Sequence, residues 1–228
     1  MRIGKLMSNA GICSRRETNN LIEAGRIVVN GELCTPGKWV EWDDEILFDG
    51  EPVKKQDDIY ILLNKPPGIL CSTDASLKDN IIDYLSYPAY VFPVGRLDKE
   101  SEGLMFMTND GELANNVLRA EYEHEKEYVV TVDKPFDDGF LETIAGGVEI
   151  FGIQTRPCEV TRIDDTTFNI ILSQGINRQI RKMCKKFGYN VIKLKRVRIV
   201  NLKIDGLESD KWRHITDDEI KELRAIVD

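Results

Sequence analysis

Imidazole is scarce in this chain. Only two histidines, His124 and His214, occur in 228 residues, far apart in sequence. A Ser-His-Asp triad or a histidine metal centre therefore has little material to be built from. The five cysteines, Cys13, Cys34, Cys71, Cys158 and Cys184, are odd in number and show no paired spacing. That argues against a disulfide framework and a zinc site, and fits thiols kept reduced in a cytosol. Long apolar runs are missing too. The longest, Ile59 to Leu63, falls far short of the roughly 20 residues of a membrane span. The N-terminal MRIGKLMSNAG has no secretory apolar core. The expectation is a cytoplasmic protein with no membrane association and no zinc or histidine metal site.

Charge of the positive sign is also in deficit, with 31 Lys and Arg against 39 Asp and Glu for a net charge of −8. Taken alone this argues against a nucleic-acid ligand. The distribution reverses that inference. From Gln174 to Ile204 there are ten basic residues and no acidic one. A locally basic segment on an acidic body suits one anionic ligand held at one place, with non-specific binding suppressed.

The centre of the chain is VGRLDKESEGL, Val94 to Leu104. Apolar Val91 and Phe92 precede it and Leu104 to Met107 follow, so two buried strands are expected to flank a loop dense in polar groups. A scaffold on both sides could hold Asp98 still, two residues after Arg96. A plain turn, with Gly95 and Gly103 supplying special backbone angles, accounts for the same pattern.

Local signals organise the rest. Ile3, Leu6, Met7 and Ala10 share one helical face, ended by Gly11. Ser14-Arg15-Arg16-Glu17 is a capping box that opens a second helix, and Asn30-Gly31 marks a tight hairpin. From Glu51 to Asp58 no apolar period appears, which predicts a linker. Lys65-Pro66-Pro67-Gly68 ends the first strand of the following unit, and helices are expected at Ile81 to Leu85, after Asp110, and after Asp137 or Asp138. Strands are expected at His124 to Asp133, Gln154 to Ile163 and Phe168 to Ser173. In QGINRQIRKMCKKFG, Ile180, Met183, Cys184 and Phe187 form an apolar face. Arg178, Arg181, Lys182, Lys185 and Lys186 fill the rest. With no acid along that helix to balance five cations, an external anion is the expected partner. Thr216 to Glu219 is a last capping box, before a helix that packs by Ile220, Leu223 and Val227.

The string GRLDKESEGL resembles the active-site motif of pseudouridine synthases, in the branch that modifies ribosomal RNA and carries an N-terminal S4 domain. INRQIR resembles a second motif of that branch, and the first 54 residues look like the S4 module. The HEKEYVVTVD strand, the VDKP turn and the length are most similar to the F type among synthases of large-subunit ribosomal RNA. The resemblance implies an α+β protein: an S4-like RNA-binding domain over residues 1–54, a linker at 51–58, and a catalytic domain over 55–228 whose mixed, largely antiparallel sheet is flanked by helices. It implies Asp98 as catalytic carboxylate, Tyr128 as the residue stacked on the base, and Arg181 as partner of Asp98. Arg96, Lys126, Asn177, Arg178, Gln179, Ile180 and Leu194 would contact the substrate, with Leu194 lining the uracil pocket. Arg15, Arg16, Arg26, Lys182, Lys185, Lys186 and Arg196 would contact the RNA backbone. The RNA surface of the S4-like module should be narrow, because acids are dense from Glu41 to Asp58 and Trp39 and Trp42 stand where small or polar residues are usual. The substrate implied is ribosomal RNA, 23S in particular, with tRNA a second candidate, and the chain is expected to act as a monomer without metal or cofactor. Two other readings stay open here: a non-catalytic RNA-binding protein of ribosome assembly, and a small-subunit ribosomal RNA synthase. A carboxylate-dependent hydrolase of small anions would leave the S4-like module without a purpose.

Overall fold

A computed structural model describes residues 1–74, 76–119 and 123–228. The N-terminal unit begins with α1 (Ile3–Asn9) and α2 (Arg15–Glu23). Both halves of the capping box form: Glu17 N–H donates to Ser14 Oγ at 3.2 Å and Ser14 N–H to Glu17 Oε2 at 3.5 Å. Strands β1 (Ile27–Val29) and β2 (Glu32–Leu33) meet through Asn30 and Gly31, whose φ values of +52° and +81° give the hairpin turn that this dipeptide favours. With β3 (Ile46–Phe48) and β4 (Glu51–Pro52) they make a sheet of order β2-β1-β3-β4. Ile3, Leu6 and Met7 pack with Ile22, Ile27, Val29, Val40 and Ile46 beneath it. The linker expected from Glu51 starts later than that. Glu51 and Pro52 pair with Phe48 and Leu47, since one edge residue with no N–H is tolerated at the rim of a sheet.

The second unit is built on β5 (Tyr60–Lys65), α3 (Ile81–Leu85), β6 (Phe92–Val94), β7 (Glu102–Thr108), α4 (Gly111–Leu118), β8 (Lys126–Val132), α5 (Asp138–Ala145), β9 (Glu149–Ile150) and β10 (Ile153–Gln154). It continues with β11 (Glu159–Arg162), β12 (Thr167–Leu172), α6 (Gln179–Lys186), β13 (Val191–Ile199), β14 (Leu202–Lys203), β15 (Trp212–His214) and α7 (Asp217–Val227). The main sheet runs β11-β12-β8-β13-β7-β5-β15, with β14 on β13 and β6 on β7. Every pairing in it is antiparallel except β7 with β13. Mixed and mostly antiparallel, with helices against it, this is the α+β architecture expected. The strand expected from Gln154 to Ile163 is divided. Its first residues pair with β9 in a separate two-stranded ribbon, and β11 begins only after Pro157, which has no N–H to donate.

Alternation along β5 and β7 explains why the run Leu104 to Met107 is wholly apolar. Leu104 and Phe106 join Leu62, α4 and α7 on one face, while Met105 and Met107 join Ile61, Leu63 and α3 on the other. Both faces of these strands are covered, so both sets of side chains are buried. A third cluster lies between β8, β12, β13 and the helices α5 and α6. The clusters meet near the parallel β7–β13 pair. There Gly103, at φ +107°, lies so close to Arg196 that a Cβ would stand 2.2 Å from the Arg196 carbonyl oxygen. Only glycine fits at that crossing. Among the described residues, no helix is long and apolar enough to cross a membrane.

Candidate active site

Asp98 sits in the loop from β6 to β7, and the loop is held from within. Leu97 is buried, and its N–H points at Cys71 Sγ, 3.4 Å away. Ser101 N–H donates to Asp98 O at 3.0 Å, closing the turn around the carboxylate. Beneath it lies Lys65, entirely buried at the end of β5. Its ammonium donates to Pro66 O and Ile69 O at 3.0 Å and approaches Lys99 O at 3.4 Å, while Gly68 N–H donates to Lys99 O at 2.7 Å. Burial lowers the pKa of Lys65, and the nearby Asp98 and Glu100 carboxylates work the other way. Sequence reasoning treated Lys65 only as the end of a strand. The available signal was a charged residue closing a strand that carries the apolar run Ile61 to Leu63.

Two guanidiniums from the far side of the chain close over this loop. Arg178 Nη1 is 3.5 Å and Arg181 Nε 3.6 Å from Asp98 Oδ2. Arg181 is fixed by donating to Ser101 Oγ at 2.9 Å and to Val191 O at 3.0 Å. Its Nε is buried, makes no hydrogen bond, and has the carboxylates of Asp98 and Glu100 at 3.6 and 3.7 Å. Arg178 also binds Glu100. Partial burial would raise the Glu100 carboxyl, but its own backbone N–H and Arg178 prevail and hold it below its ordinary range. The side chain of Asp98 stays 25% exposed, so a ligand can reach an oxygen that two arginines already orient. No acid stands along α6 itself, yet Arg181 faces Asp98 as the resemblance implies, and Arg178 reaches both Asp98 and Glu100. The fold brings both acids in from the motif loop.

Strand β8 carries Tyr128 and Lys126. Tyr128 packs against both the cluster containing Leu97 and the one beneath α6, so its ring sits at their seam. Across the strands it is level with Ile170 on one side and Arg196 on the other. Lys126, two residues earlier on the same face, donates to His124 O at 3.0 Å, and burial pushes its ammonium down to about 8, helped by Arg196.

Residues 59–186 match the family model described as RNA pseudouridylate synthase, and residues 1–46 match that of the S4 domain. The chain belongs to the RNA pseudouridylate synthase family. It is 46% identical over its full length to the dual-specificity RNA pseudouridine synthase RluF of Escherichia coli O6:H1, of which it spans 80%. It is 33% identical to the ribosomal large subunit pseudouridine synthase B of Bacillus subtilis, again over the full chain and 97% of that relative. A crystal structure of a pseudouridylate synthase superposes with a TM-score of 0.72 at 28% identity, covering 98% of this chain and 99% of the other. The chain is thus a synthase of the Rsu/Rlu branch, an isomerase that acts on RNA.

The remaining residues expected to contact substrate or RNA divide by burial. Arg96, Asn177 and Arg178 are exposed. Gln179, Ile180 and Leu194 are buried: the Gln179 side-chain oxygen accepts from Ile176 N–H at 3.1 Å, shaping the turn into α6, and the other two belong to the core under that helix. Arg196 cannot reach an RNA backbone. It is 2% exposed, and its guanidinium donates to Leu104 O at 2.8 Å and points at Met105 Sδ, 3.0 Å away. Strand β13 is central in the synthase sheet, so one face of its basic run is covered. Lys182, Lys185 and Lys186 form no ion pair among the described residues, and Lys185 and Lys186 reach the surface. In the S4 domain Arg15 and Arg16 are exposed, whereas Arg26 is held by Asp49, with Nε to Oδ1 at 2.8 Å. Trp39 is exposed beside Arg2, Lys5 and Arg15 around one cavity, and Trp42 packs on the domain core.

Proposed function

We propose that this synthase converts a specific uridine of large-subunit (23S) ribosomal RNA to pseudouridine, with Asp98 as the catalytic carboxylate. One observation carries the reading: a partly exposed carboxylate on a tied-down loop, with two arginines against a single oxygen. The reaction breaks the bond from N1 to C1′ and forms one from C5 to C1′. C5 gives up its proton and N1 gains one, so nothing is oxidised, reduced or hydrolysed and no cofactor is called for. An ionised carboxylate serves this chemistry as nucleophile at C1′ or at the ring, or as base at C2′. Arg181 and Arg178 hold the Asp98 side chain and aim it. Tyr128 stacks on the uracil and its hydroxyl moves the C5 proton. Because the target lies within folded RNA, the nucleotide is flipped out, at a cost of a few kcal/mol that phosphate contacts offset.

The likeness to a dual-specificity relative favours a second RNA substrate, and tRNA is the one proposed. The protein is taken to act as a cytoplasmic monomer. Pseudouridine maps of ribosomal and transfer RNA from cells with and without this gene test the reading. Loss of one large-subunit site and one tRNA site is the expected result. Loss confined to the small subunit would reassign the substrate, and an unchanged map would overturn the proposal.

A further inference from the structure

Beside Asp98 a groove of about 690 Å³ runs between α6 and the ribbon of β9 and β10. Arg178 and Arg181 line it as well as flanking Asp98, so groove and carboxylate are continuous. Among the described residues, Glu149 is the one acid in its lining, against five cations. Three of these, Lys182, Lys185 and Lys186, meet no carboxylate among the described residues: Lys185 donates to Asn190 Oδ1 at 3.0 Å, Lys186 donates to Glu149 O at 2.7 Å, and Lys182 lies against a ring. That ring is Phe151, 85% exposed at the tip of the ribbon, with the Lys182 ammonium 4.9 Å from its centroid.

Phe151 is out of place for a folding role. It and Gly152 form the two-residue turn with φ of +51° and +77°, where Asn, Asp or Gly is the residue of low cost. A bulky side chain at positive φ is strained, and here it gains almost no burial in return. An exposed ring among unpaired lysines is how single-stranded nucleic acid is bound, one base stacking on the ring while cations follow the phosphates.

We infer that this groove binds the single-stranded stretch of RNA next to the flipped uridine, with a base stacked on Phe151 and adjacent phosphates held by Lys182, Lys185 and Lys186. The inference rests on the proposed function and adds a second anchor to it, within the catalytic domain and apart from the S4 domain. Phe151 is a positioning residue, holding the strand that delivers the nucleotide to Asp98.

The test uses the full chain and unmodified large-subunit ribosomal RNA transcribed in vitro. It measures binding and single-turnover pseudouridine formation over a range of protein concentrations. Phe151→Ala is expected to raise both the Kd and the half-saturating concentration about tenfold, with the plateau rate little changed. Phe151→Trp should restore wild-type behaviour and Phe151→Leu should not, because the ring face is what binds. Lys182→Ala should lower the slope of log affinity against log salt by about one, which Phe151→Ala should leave alone. Phe151→Ala binding as wild type does, or full rescue by leucine, overturns the inference. The two readings fail separately. If wild type forms no pseudouridine but Phe151→Ala still weakens binding, the proposed function falls and the groove stands. If pseudouridine forms and Phe151→Ala binds normally, the groove alone falls.

Discussion

At the scale of single residues, the proposed chemistry depends on holding one carboxylate aimed and partly open. Asp98→Asn preserves size and removes the charge. It should bind RNA as wild type does while pseudouridine formation falls by at least about a thousandfold. Product measured within tenfold of wild type would exclude Asp98 as the catalytic group. Arg181→Lys keeps a charge but loses the fork that grips Ser101 and Val191 while facing Asp98. Turnover should fall more than RNA affinity, and matched losses would make Arg181 an ordinary phosphate contact. Lys126 makes a thermodynamic prediction. Its pKa is about 8 in the folded chain against an ordinary value of 10.5. Between these values the unfolded chain binds the additional proton, so this group makes stability rise with pH across that window. Lys126→Met should flatten the rise and stabilise the protein at neutral pH, as read by urea unfolding at about pH 7.5 and about pH 9.5.

Among the elements, the β7–β13 crossing tolerates least. A methyl group at Gly103 would meet the Arg196 backbone at 2.2 Å, and the φ of +107° suits glycine alone. Neither central strand can move aside without breaking its other ladder. Gly103→Ala should therefore cost at least about 3 kcal/mol, seen as a large drop in Tm or loss of soluble protein. Helix α7 makes a gentler case. Arg213, with Thr216 assisting, holds the Glu219 carboxyl down at about 2 from an ordinary value of 4.5. A depressed carboxyl stabilises the fold above its unfolded pKa, and the contribution is lost as pH falls toward the folded one. Glu219→Gln should lower Tm at neutral pH, and the gap from wild type should close as pH falls from about 4.5 toward about 2. A gap independent of pH would mean the helix cap, and not the ion pair with Arg213, is what the substitution removes.

For the molecule as a whole, the cores suggest a division of labour. The N-terminal cluster draws only on residues up to Val53, and the other three only on residues from Ile59 onward. A chain beginning near Lys55 should fold by itself, since it buries its own faces. At saturating RNA it should keep a kcat near that of the full chain and lose affinity, because a tethered module raises effective concentration without touching the chemistry. Single-turnover kinetics separate the two. Unaltered affinity would mean the S4 domain is not an RNA anchor, and a bound but inert complex would mean it shapes the cleft.

What was legible in the sequence is what neighbours along the chain decide. The Ser14 capping box, the Asn30-Gly31 turn and the buried face of α6 each follow from backbone geometry over a few residues; the first two formed as expected, and on α6 Ile180, Met183 and Cys184 are buried while Phe187, past the last turn, is exposed. The motif strings likewise identified the family, because they are contiguous. The motifs also paired Arg181 with Asp98, but the other pairings of charge were not legible in that way. Arg178 meets Glu100 across 78 residues, and that contact exists only because the β6–β7 loop and the start of α6 are brought together by the sheet. Arg196 reads as one more cation in a basic run, yet its place on β13 carries it to the covered face, where Leu104 O accepts a hydrogen bond from its Nε. Which side of a strand is covered depends on its neighbours and their register, and strand order is a property of the whole chain. The sequence by itself determined the family and those elements that neighbouring residues set, the capped helices and the Asn30-Gly31 hairpin. Only the tertiary structure decided that Arg178 joins Arg181 at Asp98, that Lys65 and Arg196 are buried, and that Lys182, Lys185 and Lys186 line the groove beside α6.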